Sequence, residues 1–157
     1  VPITATERTA YNESPEGRFL VAVVDALDAL PMVAAEFPNR AQLRRNPTTE
    51  RGKPNLLLLP LAERTDLAGE IGRRIVRYAA DVLLVVPADD ETRGLPWQLK
   101  VRDQIVRRFA GDLPENSFLT NGDCYATRVE YLSRFPASLR SQGWDGQALS
   151  ITGLYRE

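Results

Sequence analysis

Residues 73–90 read RRIVRYAADVLLVVPADD, and this run limits the fold more than any other part of the chain. One alternate set, Val76, Tyr78, Ala80, Val82, Leu84 and Val86, is apolar throughout. The other set, Ile75, Arg77, Ala79, Asp81, Leu83 and Val85, carries charge early and is apolar late. A period of two marks a β-strand, here wettable on one face at its start and buried on both faces at its end. About twelve residues at about 3.3 Å each span about 40 Å. A compact chain of this length has a radius of gyration of about 15 Å, so its diameter is of the same size. Strands typically have about five or six residues, so this one crosses the whole domain or projects from it. The projecting part is expected to be the end bearing Arg73, Arg74, Arg77 and Asp81, and an exposed extension invites pairing with another chain. A bent strand, or two short strands broken at Ala79–Ala80, is the alternative.

The rest of the chain supplies partners for that strand. Residues 1–13 read as an arm, flexible or docked, and 14–157 as one α+β domain. SPEGRFLVAVVDALDALP predicts a helix, with Ser14 as cap, Pro15 in the first turn and Glu16 favouring the dipole. Leu20, Val23, Val24, Leu27 and Leu30 form its apolar stripe, Gly17 weakens its first turn slightly, and Pro31 marks its end. NLLLLPLAE predicts a strand that ends at Pro60 or lies at an edge there, and RTDLAGEIG a turn-rich link. LPWQLKVRDQIVRRFAG predicts a second helix with Trp97, Val101, Ile105 and Phe109 toward the core. After the turn signal Asn121-Gly122, YATRVEYLSRF alternates as a half-exposed antiparallel strand, with Arg128, Glu130 and Arg134 on its polar face. PASLRSQGWDG connects onward and QALSITGLYRE closes the chain as a strand. The expected architecture is a mostly antiparallel four-stranded sheet with two helices packed on one face and one unusually long strand.

Composition excludes much chemistry. The chain of 157 residues has no histidine, which removes Ser–His–Asp and Cys–His nucleophiles and histidine-containing zinc sites. One cysteine, Cys124, allows no internal disulfide and reads as a small buried side chain. Asp89, Asp90 and Glu91 lack the ligand spacing of a calcium loop and read as a solvated turn. There is no Walker loop and no dinucleotide-binding glycine motif. No catalytic residue, cofactor or metal is expected, and the chain reads as a non-enzyme. A net charge of −1 gives no global attraction to nucleic acid or membrane. No apolar run reaches the roughly 18 residues of a membrane span, and the N-terminus has no signal-peptide pattern. The local exception is 38–54, a loop without period. It carries Arg40, Arg44, Arg45, Arg51 and Lys53 against Glu50, and reads as a solvated connection or as an interface for an acidic surface.

The succession resembles the tail terminator, or tail completion (neck), proteins of long-tailed bacteriophages and phage-derived particles. The likeness rests on an opening helix (FLVAVVDALDAL) and a proline-containing connection to PNLLLLPLAE. The arginine-led long strand, the helix WQLKVRDQIVRRF and a final hairpin from ATRVEYLSRFP to WDGQALSITGLYRE complete it. It covers residues 17–157; the basic loop and the arm are outside it. The resemblance implies a structural virion protein, assembled in the bacterial cytoplasm and located in the tail–neck region. Such proteins form hexameric rings at the head-proximal end of the tail tube, end tail polymerisation and join tail to head connector. Implied partners are sister copies, the tail tube protein and the neck protein, with DNA passing through the lumen without specific binding and no membrane. On exposure and charge, Arg73, Arg74, Arg77 and Asp81 are the candidates for subunit contacts. Arg40, Arg44, Arg45 and Arg51 are the candidates for docking a neighbouring ring. Two alternatives stand beside this reading: another neck or head-closure ring, and a small protein-binding adaptor.

Overall fold

The computed structural model describes residues 3–43, 52–60, 65–67, 75–109, 124–131 and 135–156. The helices are α1 (Ala5–Tyr11), α2 (Pro15–Asp28), α3 (Pro31–Glu36), α4 (Leu95–Phe109) and α5 (Ala137–Ser141). The strands are β1 (Ala41–Leu43), β2 (Asn55–Pro60), β3 (Thr65–Leu67), β4 (Ile75–Pro87), β5 (Cys124–Tyr131) and β6 (Trp144–Arg156). They make one six-stranded sheet in the order β1-β2-β4-β6-β5, with β3 added beside β4. All neighbours are antiparallel except β1 and β2, which are parallel.

The long strand is continuous over 13 residues, and it lies at the centre of the sheet. β6, also 13 residues, accompanies it from Ile75↔Arg156 to Pro87↔Trp144. On the other side β2 pairs with 80–85 and β3 with 75–77. Over 75–77 and 80–85 this corrects the expectation of an extension open to a second chain; Arg73 and Arg74 lie outside the described residues. The backbone at Arg77 is bracketed by Thr65 and Leu154, and that at Asp81 by Leu59 and Ser150. No ladder position is left there for an added strand. The sequence could not show this, because β3 is three residues inside a segment that reads as a link.

The even residues of β4 face the helices. Val76, Tyr78, Ala80, Val82, Leu84 and Val86 are buried with Phe19, Val23, Leu27, Val101, Ile105 and Phe109. α2 forms where its signals place it: Pro15 is in the first turn, and the Ser14 Oγ accepts a hydrogen bond from the Gly17 N–H at 3.1 Å. Gly17 has a larger role than expected. A Cβ there would lie 1.8 Å from the Tyr11 carbonyl oxygen, so its bare backbone lets α1 dock on α2. Arg8 of α1 also pairs with Asp25 of α2 at 2.7 Å. α2 ends at Asp28, shortly before Pro31, which opens the short helix α3.

On α4 the core stripe is Gln98, Val101, Ile105 and Phe109, not one led by Trp97. Trp97 is half-buried, stacks on Phe37 with ring centroids 5.7 Å apart, and donates its Nε1–H to Glu36 at 3.0 Å. Gln98 is accommodated inside because its polar atoms are met: its Nε2 donates to the Arg93 carbonyl at 3.2 Å, and its Oε1 accepts from Gln147 at 3.2 Å.

The fold is α+β, as expected, but the sheet is mixed and six-stranded, and five helices surround it. The two expected helices are α2 and α4. α1, α3 and α5 have seven, six and five residues, too few to display a helical period against background. β1 arises inside the basic connection, where three residues cannot show alternation.

Candidate functional site

The odd residues of β4 resolve the split in that strand. Leu83 and Val85 are buried in a second, smaller cluster with Leu57, Phe135, Trp144 and Ala148. The segment from Phe135 through α5 packs against that half of the face, with Leu139 resting on it. Trp144 is thus a packing residue. Among the described residues the other half, around Arg77, Ala79 and Asp81, has no such cover. One face of the strand therefore passes from wet to dry along its length, as its sequence predicts.

Registers place the neighbours on this uncovered half. Leu59, Asp81, Ser150 and Glu130 form one row across β2, β4, β6 and β5. Ala79, Thr152 and Arg128 form the next, and Arg77 lies beyond it beside Leu154. Arg77, Arg128 and Glu130 are exposed. Arg128 and Glu130 approach to 3.6 Å, an exposed pair that contributes little to stability. Ser150 and Thr152 are buried by their taller neighbours. Among the side chains described on this surface, two arginines stand with two acids.

Asp81 is the unusual member. Burial pushes its carboxyl above the ordinary value of 3.8, and its hydrogen bond with the Ser150 side chain opposes that rise only in part. In the window above pH 3.8 the folded chain keeps a proton that the unfolded chain has released. Stability therefore falls as pH rises through that window. Asp81→Asn is expected to gain stability relative to the parent as pH rises through it, and to show no such gain below. Urea titrations at pH values from 3 upward, in steps of about one unit, read the difference; parallel curves for the two proteins would refute the assignment.

Of the eight residues singled out from the sequence, Arg77 and Asp81 come together on this face. Arg73, Arg74, Arg44, Arg45 and Arg51 lie outside the described residues. Arg40 is half-buried. It sits at φ 54°, and its Nη1 points to the Asp28 carbonyl oxygen, 3.5 Å away at the C-terminal end of α2. A cation there complements the helix dipole. Asp28 in turn accepts the Ala41 N–H at 2.7 Å, tying α2 to β1, and burial pushes its carboxyl up.

Arg128 and Glu130 were visible as the polar face of an alternating strand, but their place beside Asp81 needed the register. Asp90 is a local turn residue: its carboxylate accepts from Thr92 and pairs with Arg93 at 2.7 Å, which hold it below the usual carboxylate range. Among the described residues no three His, Cys, Asp or Glu side chains are grouped to hold a metal ion, and no helix is long and apolar enough to cross a membrane. No model of a known protein family matches the chain, and no curated protein matches it.

Proposed function

We propose that this chain is a structural ring protein of the tail–neck region of a long-tailed phage or phage-derived particle. In that role six copies cap the head-proximal end of the tail tube, end its growth and present a surface to the head connector. The observation that carries the reading is the central β4–β6 pair, 13 residues in each strand, backed by helices on one face and, among the described residues, without an apolar cover over half of the other. A sheet of that length lining a ring exposes a wall along the passage. Among the described side chains of the wall, Arg77 and Arg128 stand against Asp81 and Glu130, which suits a channel that lets DNA slide without gripping it. The element order, with one long helix, the strands β1–β4, a second long helix and the closing strands β5 and β6, also supports the reading. The role needs no catalytic group, cofactor or metal.

Arg77 and Asp81 then act through their side chains on the wall, because their backbone is already paired within the chain. The decisive experiment is electron microscopy of the native particle, with the chain labelled. A sixfold collar between tube and connector is the expected result. A chain that stays monomeric at high concentration, and also when mixed with isolated tail tubes, would favour a small adaptor and end the ring reading.

A further inference from the structure

Two flanks of the domain differ in charge, and they lie toward opposite edges of the helix-covered face of the sheet. α2 packs over β1 and β4, with α1 docked upon it; α4 packs over β6 and β5. The segment 5–28, which holds α1 and α2, carries five acids against two arginines, a net charge of −3. α4 carries four basic residues against Asp103, a net charge of +3. Both arginines of the acidic flank are engaged locally. Arg8 pairs with Asp25 at 2.7 Å, and Arg18 donates to the Asn12 carbonyl at 3.2 Å. Glu7 and Glu13 are exposed.

α4 adds an apolar element. Its buried stripe is Gln98, Val101, Ile105 and Phe109. One flank of the helix, bearing Trp97 and Gln104, is turned toward α3: Gln104 accepts the Met32 N–H at 3.2 Å, and Trp97 bonds Glu36. At 100° per residue, Leu95 and Leu99 fall on the opposite flank, directed away from α3 and past the β5 side of the domain. They are the large apolar side chains left exposed among the described residues, at 57% and 37%. Lys100 and Arg107 are exposed on the outer ridge of the same helix, about 80–100° round from Leu99, and Arg107 pairs with Asp103 at 2.9 Å. An apolar pair on a helix whose outer ridge carries cations is a surface suited to an acidic protein face.

We infer that α4 of one copy docks against the acidic α1–α2 flank of the next, with Leu95 and Leu99 at the contact and Lys100 and Arg107 opposite Glu7 and Glu13. The inference rests on the ring reading above and names the surfaces that build it. Unlike surfaces on opposite flanks make a head-to-tail contact, and such contacts close into rings. The occupant is a second copy, because the complementary charge is present on this same chain.

Two full-length variants test it. Lys100→Glu with Arg107→Glu makes both flanks acidic. Glu7→Lys with Glu13→Lys makes the acidic flank basic. All four positions are exposed, so circular dichroism and thermal midpoints should match the parent. Each variant alone is expected to assemble about a hundredfold more weakly than the parent, since like charges meet at every contact. Mixed in equal amounts, the two should regain rings by alternating, which an even-numbered ring allows. Sedimentation velocity and electron microscopy, alone and on isolated tail tubes, read the outcome. Rings from either variant alone at parental strength, or no recovery on mixing two folded variants, overturn the contact while leaving the ring reading in place. A parent that forms no ring under either condition overturns both.

Discussion

Phe19→Ala is expected to remove about 4 kcal/mol of stability, the middle of the range for truncating a buried aromatic side chain. Phe19 is fully buried where α2 meets the sheet. Its ring stacks near Tyr78 at 6.1 Å and meets Tyr155 edge-on at 6.0 Å, and those two tyrosines meet each other at 5.5 Å. All three surround Gly153, which pairs with Tyr78 in the ladder. A Cβ on Gly153 would lie 3.1 Å from the Phe19 ring and 3.0 Å from that of Tyr155, so the aromatic ring occupies the space that glycine leaves. Loss of the ring forfeits the apolar transfer energy and opens a cavity that a strand and a helix cannot both move to fill.

For a domain of this size about 4 kcal/mol lowers the thermal midpoint by roughly 8–16 °C. The mechanism has a sharper test. Gly153→Ala should destabilise the parent, because the neighbouring rings must give way. It should be less damaging in the Phe19→Ala background, with a coupling of at least about 0.5 kcal/mol. Additive effects in that cycle would show that Phe19 and Gly153 do not share the space.

Gly146→Ala should cost about 3 kcal/mol, at the upper end for forcing extra atoms into a packed site. Gly146 lies in β6 opposite Val85. A Cβ there would fall 1.7 Å from the Leu84 carbonyl oxygen and 2.9 Å from a ring carbon of Phe135. The first of these is backbone at the centre of the sheet, with neighbours on both sides, so it cannot retreat as a side chain end would. Phe135 can yield, and its displacement should open the second cluster over Leu83 and Val85 and wet Trp144. Equilibrium unfolding reads the loss. On a Trp97→Phe background, a red shift in the emission of Trp144 reads the opening. A midpoint unchanged from the parent would mean that β6 takes another path at Gly146.

Much of this fold was legible because its long elements carry strong periods. The alternation of 75–86 identified the central strand and also foretold which part of its second face would be wet. The α2 stripe and its Ser14 cap were equally plain. Arg77 and Asp81 were recognisable as charged residues on an otherwise apolar strand, which is what brought the uncovered face to notice.

Other features required the assembled chain. Residues 75–77, expected in an open strand end, are paired by β3 and β6, and pairing between distant segments leaves no local trace in a three-residue strand. Gln98 took a core place expected for Trp97 because polar groups on β6 and before α4 satisfy its amide. Gly17 and Gly146 look like weak points in their elements until another backbone is found pressed against each.

The amino-acid order alone determined the periodic elements: a long two-faced strand, two amphipathic helices, and a chemistry without histidine. Local periodicity is written into neighbouring residues, so it survives without knowledge of the fold. Tertiary structure decided which strands pair, which half of a face is covered among the described residues, and that an acidic and a basic flank stand toward opposite edges of one sheet face. Those outcomes depend on contacts between segments far apart in the chain, whose energies no single segment carries.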